Sequence, residues 1–202
     1  MKFSVTKNGK ELDKNLYSYS WNLETKTFSS NEDGLVLDFR YWNGCTFNTG
    51  YNCTFNTGYN CIFDTGFYCT FNTGSDCNFD TESSCNFDTV SECTFKTEYD
   101  CIFNTGSDCI FDTGSDCTFD TESDCIFDTR SSCTFKTGSN CVVVRRDIFE
   151  MIKLKEDQKI KLNGHGILGY KIIEDKKTII IDDKEIELSL ESFNTLKKQL
   201  CE

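Results

Sequence analysis

The feature that most constrains this fold is an unbroken eight-residue period. Cysteine stands at every eighth position from Cys45 to Cys141, thirteen times, and the motif reads C-x-F-x-T-x-x-x because Phe and Thr follow at two-residue steps. Residues that alternate in this way lie on one face of a β-strand, so we expect Cys, Phe and Thr to point inward. A slip of one residue would turn every phenylalanine outward, so the register is strongly specified.

The three remaining positions of each octad predict a corner. They are often Gly-Ser-Asp, Gly-Tyr-Asn or Glu-Ser-Ser, all of which suit turns. Glycine occupies the first corner position in seven of twelve repeats, which indicates a positive φ at that position.

One octad cannot enclose a core, so several must form each coil. Two octads per coil give two parallel sheets that face each other at roughly 10 Å, with Phe opposite Phe and Cys opposite Thr. Three octads would give a wider triangle that Cys and Thr are too small to fill. The sequence therefore predicts an all-β protein, a parallel β-solenoid (β-helix) of octapeptide repeats with two octads in each coil. Representative core positions are Cys53, Phe55, Thr57, Cys61, Phe63, Cys109, Phe111, Cys117 and Phe119.

The chain divides into an N-terminal β-hairpin cap (1–36), the solenoid (37–148) and a C-terminal cap of antiparallel strands and a helix (149–202). The solenoid is predicted to start at residue 37 because Leu37 fits the Cys place, Phe39 the Phe place and Tyr41 the Thr place. Upstream, Asn8-Gly9 predicts a hairpin turn. The aromatic residues expected to cover the open end are Tyr17, Tyr19, Trp21 and Phe28.

The C-terminal cap begins with a degenerate octad in which Val143 takes the Phe place. Five short segments then predict antiparallel strands: IFEMIKL, QKIKLN, YKII, TIIID and KEIELS. An amphipathic helix is expected at about 190–200, with Ser189 as its N-cap. Its apolar face consists of Leu190, Phe193, Leu196 and Leu200.

The net negative charge is confined to the repeat. Residues 45–140 hold 15 acidic and three basic residues, which accounts for the whole net charge of −12. Such a surface repels nucleic acid and anionic lipid, so the expected partners are proteins, with self-association through the caps or the solenoid ends as one form. The N-terminus shows no signal peptide and no segment is apolar enough to span a membrane, so we expect an intracellular or virion location.

The octads CTFNTG, CIFDTGSD and CTFKTGSN resemble the C-x-F-x-T-G repeats of uncharacterised giant-virus and phage proteins. The entry segment KFSVTKNGKELDKNLYSYSW and the exit CVVVRRDIFE are similar to the same group. The resemblance implies a viral origin and carries no known activity. A weaker similarity links GYNCTFNT to the Gly-Tyr-x-Ser octads of bacterial ice-nucleation solenoids, although their Thr-x-Thr motif is missing here.

The cysteines have three interpretations. Metal binding is disfavoured because zinc sites use clustered C-x₂₋₄-C spacings. Disulfides between coils are conceivable at a Cα separation of about 4.8 Å, but Cβ vectors in a parallel ladder point the same way. We favour reduced, buried thiols that act as small apolar residues.

No catalytic constellation is evident in the sequence. The single histidine, His165, lies between glycines outside the repeat and is interpreted as a loop residue rather than a general base. We therefore expect a non-enzymatic structural or interaction protein without cofactors.

Three alternative functions use the outward residues. Asp76, Glu92, Asp108 and Asp124 would stack along one corner, where Ca²⁺ could relieve their repulsion, although a solvated surface is the favoured interpretation. The charge density is comparable with duplex DNA but lower, which allows DNA mimicry. A Thr-rich outward column that begins at Thr54 and Thr70 allows ice binding, although its charged neighbours break the surface. The aromatic residues near the N-terminal coils are Tyr51, Tyr59, Phe67 and Tyr68. They could form a contact patch for another molecule, but we favour packing on the N-terminal hairpin.

Overall fold

Two parallel sheets face each other along the length of the molecule. The computed structural model describes residues 2–12, 19–174, 176–181 and 184–200. The predicted β-solenoid is confirmed: it has about seven coils, with repeats about 16 residues apart. Phe79, for example, pairs in register with Phe63 on one side and Phe95 on the other.

The parallel strands alternate between the two sheets. Sheet A contains β5 (Leu35–Phe39), β7 (Thr54–Thr57), β9 (Thr70–Thr73), β11 (Asn86–Thr89), β13 (Ile102–Thr105), β15 (Thr118–Thr121) and β17 (Thr134–Thr137). Sheet B contains β4 (Thr27–Ser29), β6 (Thr46–Thr49), β8 (Ile62–Thr65), β10 (Asn78–Thr81), β12 (Thr94–Lys96), β14 (Ile110–Asp112), β16 (Ile126–Thr129) and β18 (Val142–Arg145).

Phenylalanine fills the space between the sheets. Rings on neighbouring strands of one sheet stack at 4.8–5.1 Å with planes 3–9° apart, as Phe79 does on Phe95. Rings from opposite sheets meet edge to face, with centroids 5.2 Å apart for Phe79 and Phe87. Every repeat Cys and Phe is at most 3% exposed, which confirms the predicted inward columns, and the Thr column is nearly as buried, with Thr57 at 7%.

The N-terminal cap is an antiparallel hairpin of β1 (Ser4–Lys7) and β2 (Lys10–Glu11), and β1 adds to the edge of β5. The predicted turn is confirmed, with positive φ at both Asn8 and Gly9. The strand β3 (Ser20–Asn22) pairs antiparallel with β4, and its Trp21 packs against Phe39 at 5.2 Å. Tyr17 lies outside the residues that the structure describes.

The predicted start of the ladder was wrong in position and register. Parallel pairing begins at β4, where Phe28 pairs with Phe47, so the first coil lies upstream of residue 37. Leu37 pairs with Phe55 and Phe39 with Thr57, which moves both residues two places from the prediction. The separation from Leu37 to Phe55 is 18 residues, because the loop after β5 is longer than an octad corner, and Tyr41 in that loop is 69% exposed.

The C-terminal cap closes both sheets with antiparallel strands. Val143 pairs with Phe127 as predicted. The strand β19 (Glu150–Lys153) pairs with β18, β20 (Ile160–Leu162) pairs with β17, and β21 (Tyr170–Ile172) pairs with β20. A separate hairpin follows, made of β22 (Lys176–Ile181) and β23 (Lys184–Ser189), and α1 (Leu190–Leu200) packs on it. The Ser192 amide donates to Ser189 Oγ at 3.2 Å, which confirms the N-cap.

Candidate functional site

The thirteen repeat cysteines are buried free thiols. Their Sγ atoms reach the corner backbone: Cys77 Sγ donates to the carbonyl of Ser75 at 3.4 Å and reaches that of Gly58 at 3.9 Å. Stacking and burial raise the pKa of the Cys85 thiol, because it contacts the thiols of Cys101 and Cys69 and is shielded from water. These are the properties of packing residues rather than of reactive nucleophiles.

Each corner has its left-handed residue at the third position, not at the first as predicted. The residue just before each repeat cysteine from Cys53 onward has φ between 57° and 63°, as at Asn60 and Asp76, and glycine does not occupy this place in those corners. Asn and Asp tolerate this conformation better than other residues with a Cβ. The acidic corner residues therefore have a conformational reason to be there.

The first-position glycines avoid contact with the coil below. A Cβ at Gly58 would lie 2.6 Å from the carbonyl oxygen of Trp42, and one at Gly114 would lie 2.7 Å from that of Glu98. At these two corners the backbone approaches the neighbouring coil so closely that a side chain would fit only if the corner shifted.

A serine ladder, which the sequence reasoning missed, joins the corners that follow the strands of sheet A. The amide of Ser107 donates to Ser91 Oγ at 3.1 Å, and that of Ser139 donates to Ser123 Oγ at 3.1 Å. The signal was present, since serine recurs every sixteenth residue from Ser75 to Ser139.

The four candidate Ca²⁺ ligands lie along the same corners. Asp76, Glu92, Asp108 and Asp124 are exposed and occupy equivalent positions one coil apart. Asp124 accepts a hydrogen bond from Asn140 Nδ2 at 3.2 Å. Within the described ranges, no group of three or more His, Cys, Asp or Glu side chains has an arrangement that could hold a metal ion. The ladder is thus a row of separate carboxylates.

On the outer face of sheet B, a column of aspartates follows the phenylalanines, and basic side chains pair with them. Lys96 pairs with Asp80 of the neighbouring strand at 2.7 Å. Arg146 pairs with Asp112 at 2.7 Å and with Asp128 at 3.0 Å, so it joins two successive coils. These pairs are substantially exposed, so solvent screens them and they contribute little to stability.

A surface notch of about 560 Å³ lies beside these pairs, lined among others by Lys96, Tyr99, Arg130 and Arg146. Gly114, which has no side chain, is part of its lining and lies between Glu98 and Arg130 in the corner column. His165 lies beyond it, 82% exposed, with Nδ1 3.6 Å from Asp147 Oδ2. The sequence interpreted His165 as a loop residue rather than a general base, and the structure places it in the loop between β20 and β21.

Among the side chains that the structure describes, the most buried charged group is Arg145, which the sequence reasoning did not single out. Its guanidinium is 0% exposed and pairs with Asp147 at 2.8 Å and Glu150 at 3.4 Å. It also donates to the carbonyl of Ile167 at 2.7 Å. Arg145 takes the inward Thr place of its octad, so the last coil exchanges the Thr column for an ion-pair network that anchors the loop before β21.

The exposed aromatic residues do not form one patch. Tyr51 and Phe67 stack at 5.1 Å and Phe67 meets Tyr68 edge to face at 5.2 Å, all on the corners that follow sheet B. Tyr59 lies on the opposite corner. All four are 39–59% exposed, so the favoured packing on the N-terminal hairpin does not describe them.

The Thr-rich outward column is straight but chemically mixed. Thr54 and Thr70 pair in register, as do Thr118 and Thr134, and Ile102 lies between these pairs. Lys136 and Asp120 face each other at 3.9 Å beside it. Ice binding stays a prediction.

Comparisons with known proteins give no relative: no family model, no curated protein and no solved structure matches the chain. The class of molecule is therefore set by the fold, a β-solenoid with a solid Cys–Phe–Thr interior. Among the described residues, no helix has the length and apolar character needed to cross a membrane.

Proposed function

We propose that this protein is a non-enzymatic structural and interaction module, a rigid acidic rod that presents carboxylates to a basic protein partner. The viral origin implied by the sequence resemblance is part of this proposal, as is a role in the virion or the infected cell.

One observation carries the proposal. The ladder interior is filled by stacked phenylalanines at 4.8–5.1 Å, so the described solenoid contributes surface rather than an internal binding chamber. That surface carries 15 of the chain's 33 acidic residues against three basic ones. A stiff array of one sign of charge favours fast electrostatic association with a partner of opposite sign.

The proposal is tested with two variants that change the charge equally on opposite corners. One changes Asp76, Asp108 and Asp124 to Asn, and the other changes Asp100 and Asp116 to Asn and Glu98 to Gln. Full-length protein and both variants are used to capture proteins from infected cells, and affinity for each captured protein is measured at two salt concentrations.

A partner that docks on one corner should lose about tenfold or more in affinity with one variant only, and binding should weaken with salt. If both variants lose affinity equally, the partner responds to the overall negative charge of the rod and not to one corner. If no protein is captured, the proposal is overturned.

DNA mimicry is a second candidate, because carboxylates occur on both sheets and both corners, as with Asp88, Asp80, Asp100 and Asp108. Duplex DNA should then compete with the rod for the captured protein. Failure to compete would remove this candidate and leave the interaction module intact.

A further inference from the structure

The described side chains of the last hairpin and helix are largely exposed. In the described structure β22 pairs only with β23, and α1 packs on the two of them. No side chain that the structure describes between residues 176 and 200 is buried, and Ile180 and Ile186 are 71% and 39% exposed. Units of fewer than about 40 residues usually need disulfides, metals or oligomerisation to be stable. The described side chains of this unit therefore form no buried core of their own.

The adjoining cap presents a second apolar set. Phe149, Met151, Ile167 and Leu168 are 95%, 75%, 59% and 68% exposed. Phe149 also has φ 54°, a conformation that a bulky L-residue seldom adopts. An aromatic side chain that is held in an unfavourable backbone conformation and gains no burial within the chain is explained by contact with another molecule.

We infer that this C-terminal end binds a second copy of the chain. The inference goes beyond the proposed function, because it concerns the neutral end of the chain and not the acidic rod. The distribution of charge makes contact through the ends the arrangement that is open to a second copy: residues 1–44 hold six acidic and six basic residues and residues 141–202 hold twelve of each, whereas the repeat holds the whole net charge of −12. Two rods therefore repel side by side, but their neutral ends do not.

The two ends of the molecule are not equivalent. Among described residues, eight large apolar side chains are exposed between 149 and 186, against Leu23, Val36 and Tyr41 between 2 and 44. The aromatic residues of the N-terminal end pack on one another, with Phe3 stacked on Phe39 at 4.3 Å. The C-terminal ends of two copies therefore meet, which gives a closed pair with one self-complementary interface rather than a filament.

Sedimentation equilibrium of the full chain tests this inference under reducing conditions at about 0.15 M salt. We expect a mass twice the 23.2 kDa of one chain. Ile180→Lys and Phe149→Asn should each raise the dissociation constant by about tenfold or more. Asn tolerates the left-handed conformation at this position. Phe149→Asn therefore removes the apolar contact with the second copy and also relieves the backbone strain. Leu23→Lys, at the opposite end, is the matched control and should not change the constant.

A mass of one chain across all concentrations would overturn the inference, as would mass that grows without limit or an equal effect of Leu23→Lys. Thermal melts of each variant separate lost association from lost folding. The two proposals fail separately: a monomer that still captures a basic protein refutes self-association alone, and a dimer that captures none refutes the proposed function alone.

Discussion

The rings of Phe103 and Phe119 stack with centroids 4.8 Å apart and planes within 3° of parallel. Phe103 makes the same contact with Phe87 on its other side and meets Phe95 and Phe111 edge to face. The separation equals the spacing of neighbouring strands, so backbone pairing and ring stacking are satisfied by one geometry. The octads carry no insertion between Cys45 and Cys141, so this geometry repeats along the rod.

Phe103→Ala should therefore be among the most damaging substitutions in the rod. Removing a ring with four aromatic neighbours leaves a cavity that the two sheets cannot close, at a cost of about 3–5 kcal/mol. The exposed neighbour Asn104→Ala is the control and should change stability by less than about 0.5 kcal/mol. Urea unfolding measures both. A loss below about 1 kcal/mol for Phe103→Ala would contradict a tightly packed interior.

Two glycines at equivalent corner places should respond differently to alanine. The added Cβ would lie 2.6 Å from a backbone oxygen at Gly58, but its nearest neighbours at Gly66 lie at 3.4 Å. Gly58→Ala should cost about 1–3 kcal/mol, because the backbone must shift, and Gly66→Ala should cost far less. Thermal or urea unfolding distinguishes them. Equal effects would show that close approach is not the reason for glycine.

The sequence predicted the ladder because its signal is periodic and local. The inward columns, two octads per coil, the Asn8-Gly9 turn and α1 all follow from spacing or turn chemistry. The register of Leu37 could not be predicted, since a lengthened loop after β5 has no periodic signature. The corner glycines were misread because glycine is selected both where φ must be positive and where a side chain has no room. At the first corner position the second reason applies. Arg145 was missed because its partners come from the following loops.

The corner conformation makes a separate prediction. Asn60 has φ 57°, whereas Asn72 lies outward on the extended strand β9. Asn60→Val should cost about 1–2 kcal/mol, because a β-branched residue is strained in the left-handed region. Asn72→Val should be neutral or slightly stabilising, because valine suits a strand. Similar unfolding midpoints for the two variants would contradict the role assigned to the third corner position.

Burial disfavours the thiolate form at every one of the thirteen repeat cysteines, so the ladder predicts a loss of stability at alkaline pH. Contact with Cys69 and Cys101, together with burial, raises the pKa of Cys85 in the folded state. Unfolded thiols ionise near pH 8.5, so the unfolded state loses protons first as the pH rises. The free energy of unfolding should be constant below that pH and should fall above it. Urea titrations from about pH 7 to 10 measure this trend.

Labelling with a maleimide checks the same ladder directly. The variant Cys201→Ser leaves the thirteen repeat thiols, which should remain unlabelled in native protein at neutral pH and should all react in guanidinium. Rapid labelling of the folded protein would contradict their burial.

The ion pair between Arg145 and Asp147 predicts the opposite pH dependence at the acid end. Burial acts to raise the pKa of Asp147, but hydrogen bonds from Arg145 and from the amide of Gly166 outweigh it, so the pKa lies below its ordinary value. A carboxylate with a lowered pKa stabilises the fold above the unfolded value, near pH 3.9, and this contribution is lost as the pH falls through the folded value.

Asp147→Asn should therefore destabilise the protein at pH 7, and its difference from the wild type should shrink as the pH falls from about 5 to 2. Arg145→Met should be worse, by about 3–5 kcal/mol, because it leaves Asp147 and Glu150 without their buried counter-charge. Asp108→Asn removes one carboxylate from the exposed corner and is the control for net charge, with little loss expected at pH 7. A constant gap between Asp147→Asn and wild type at every pH would mean that the residue acts through packing and not through its charge.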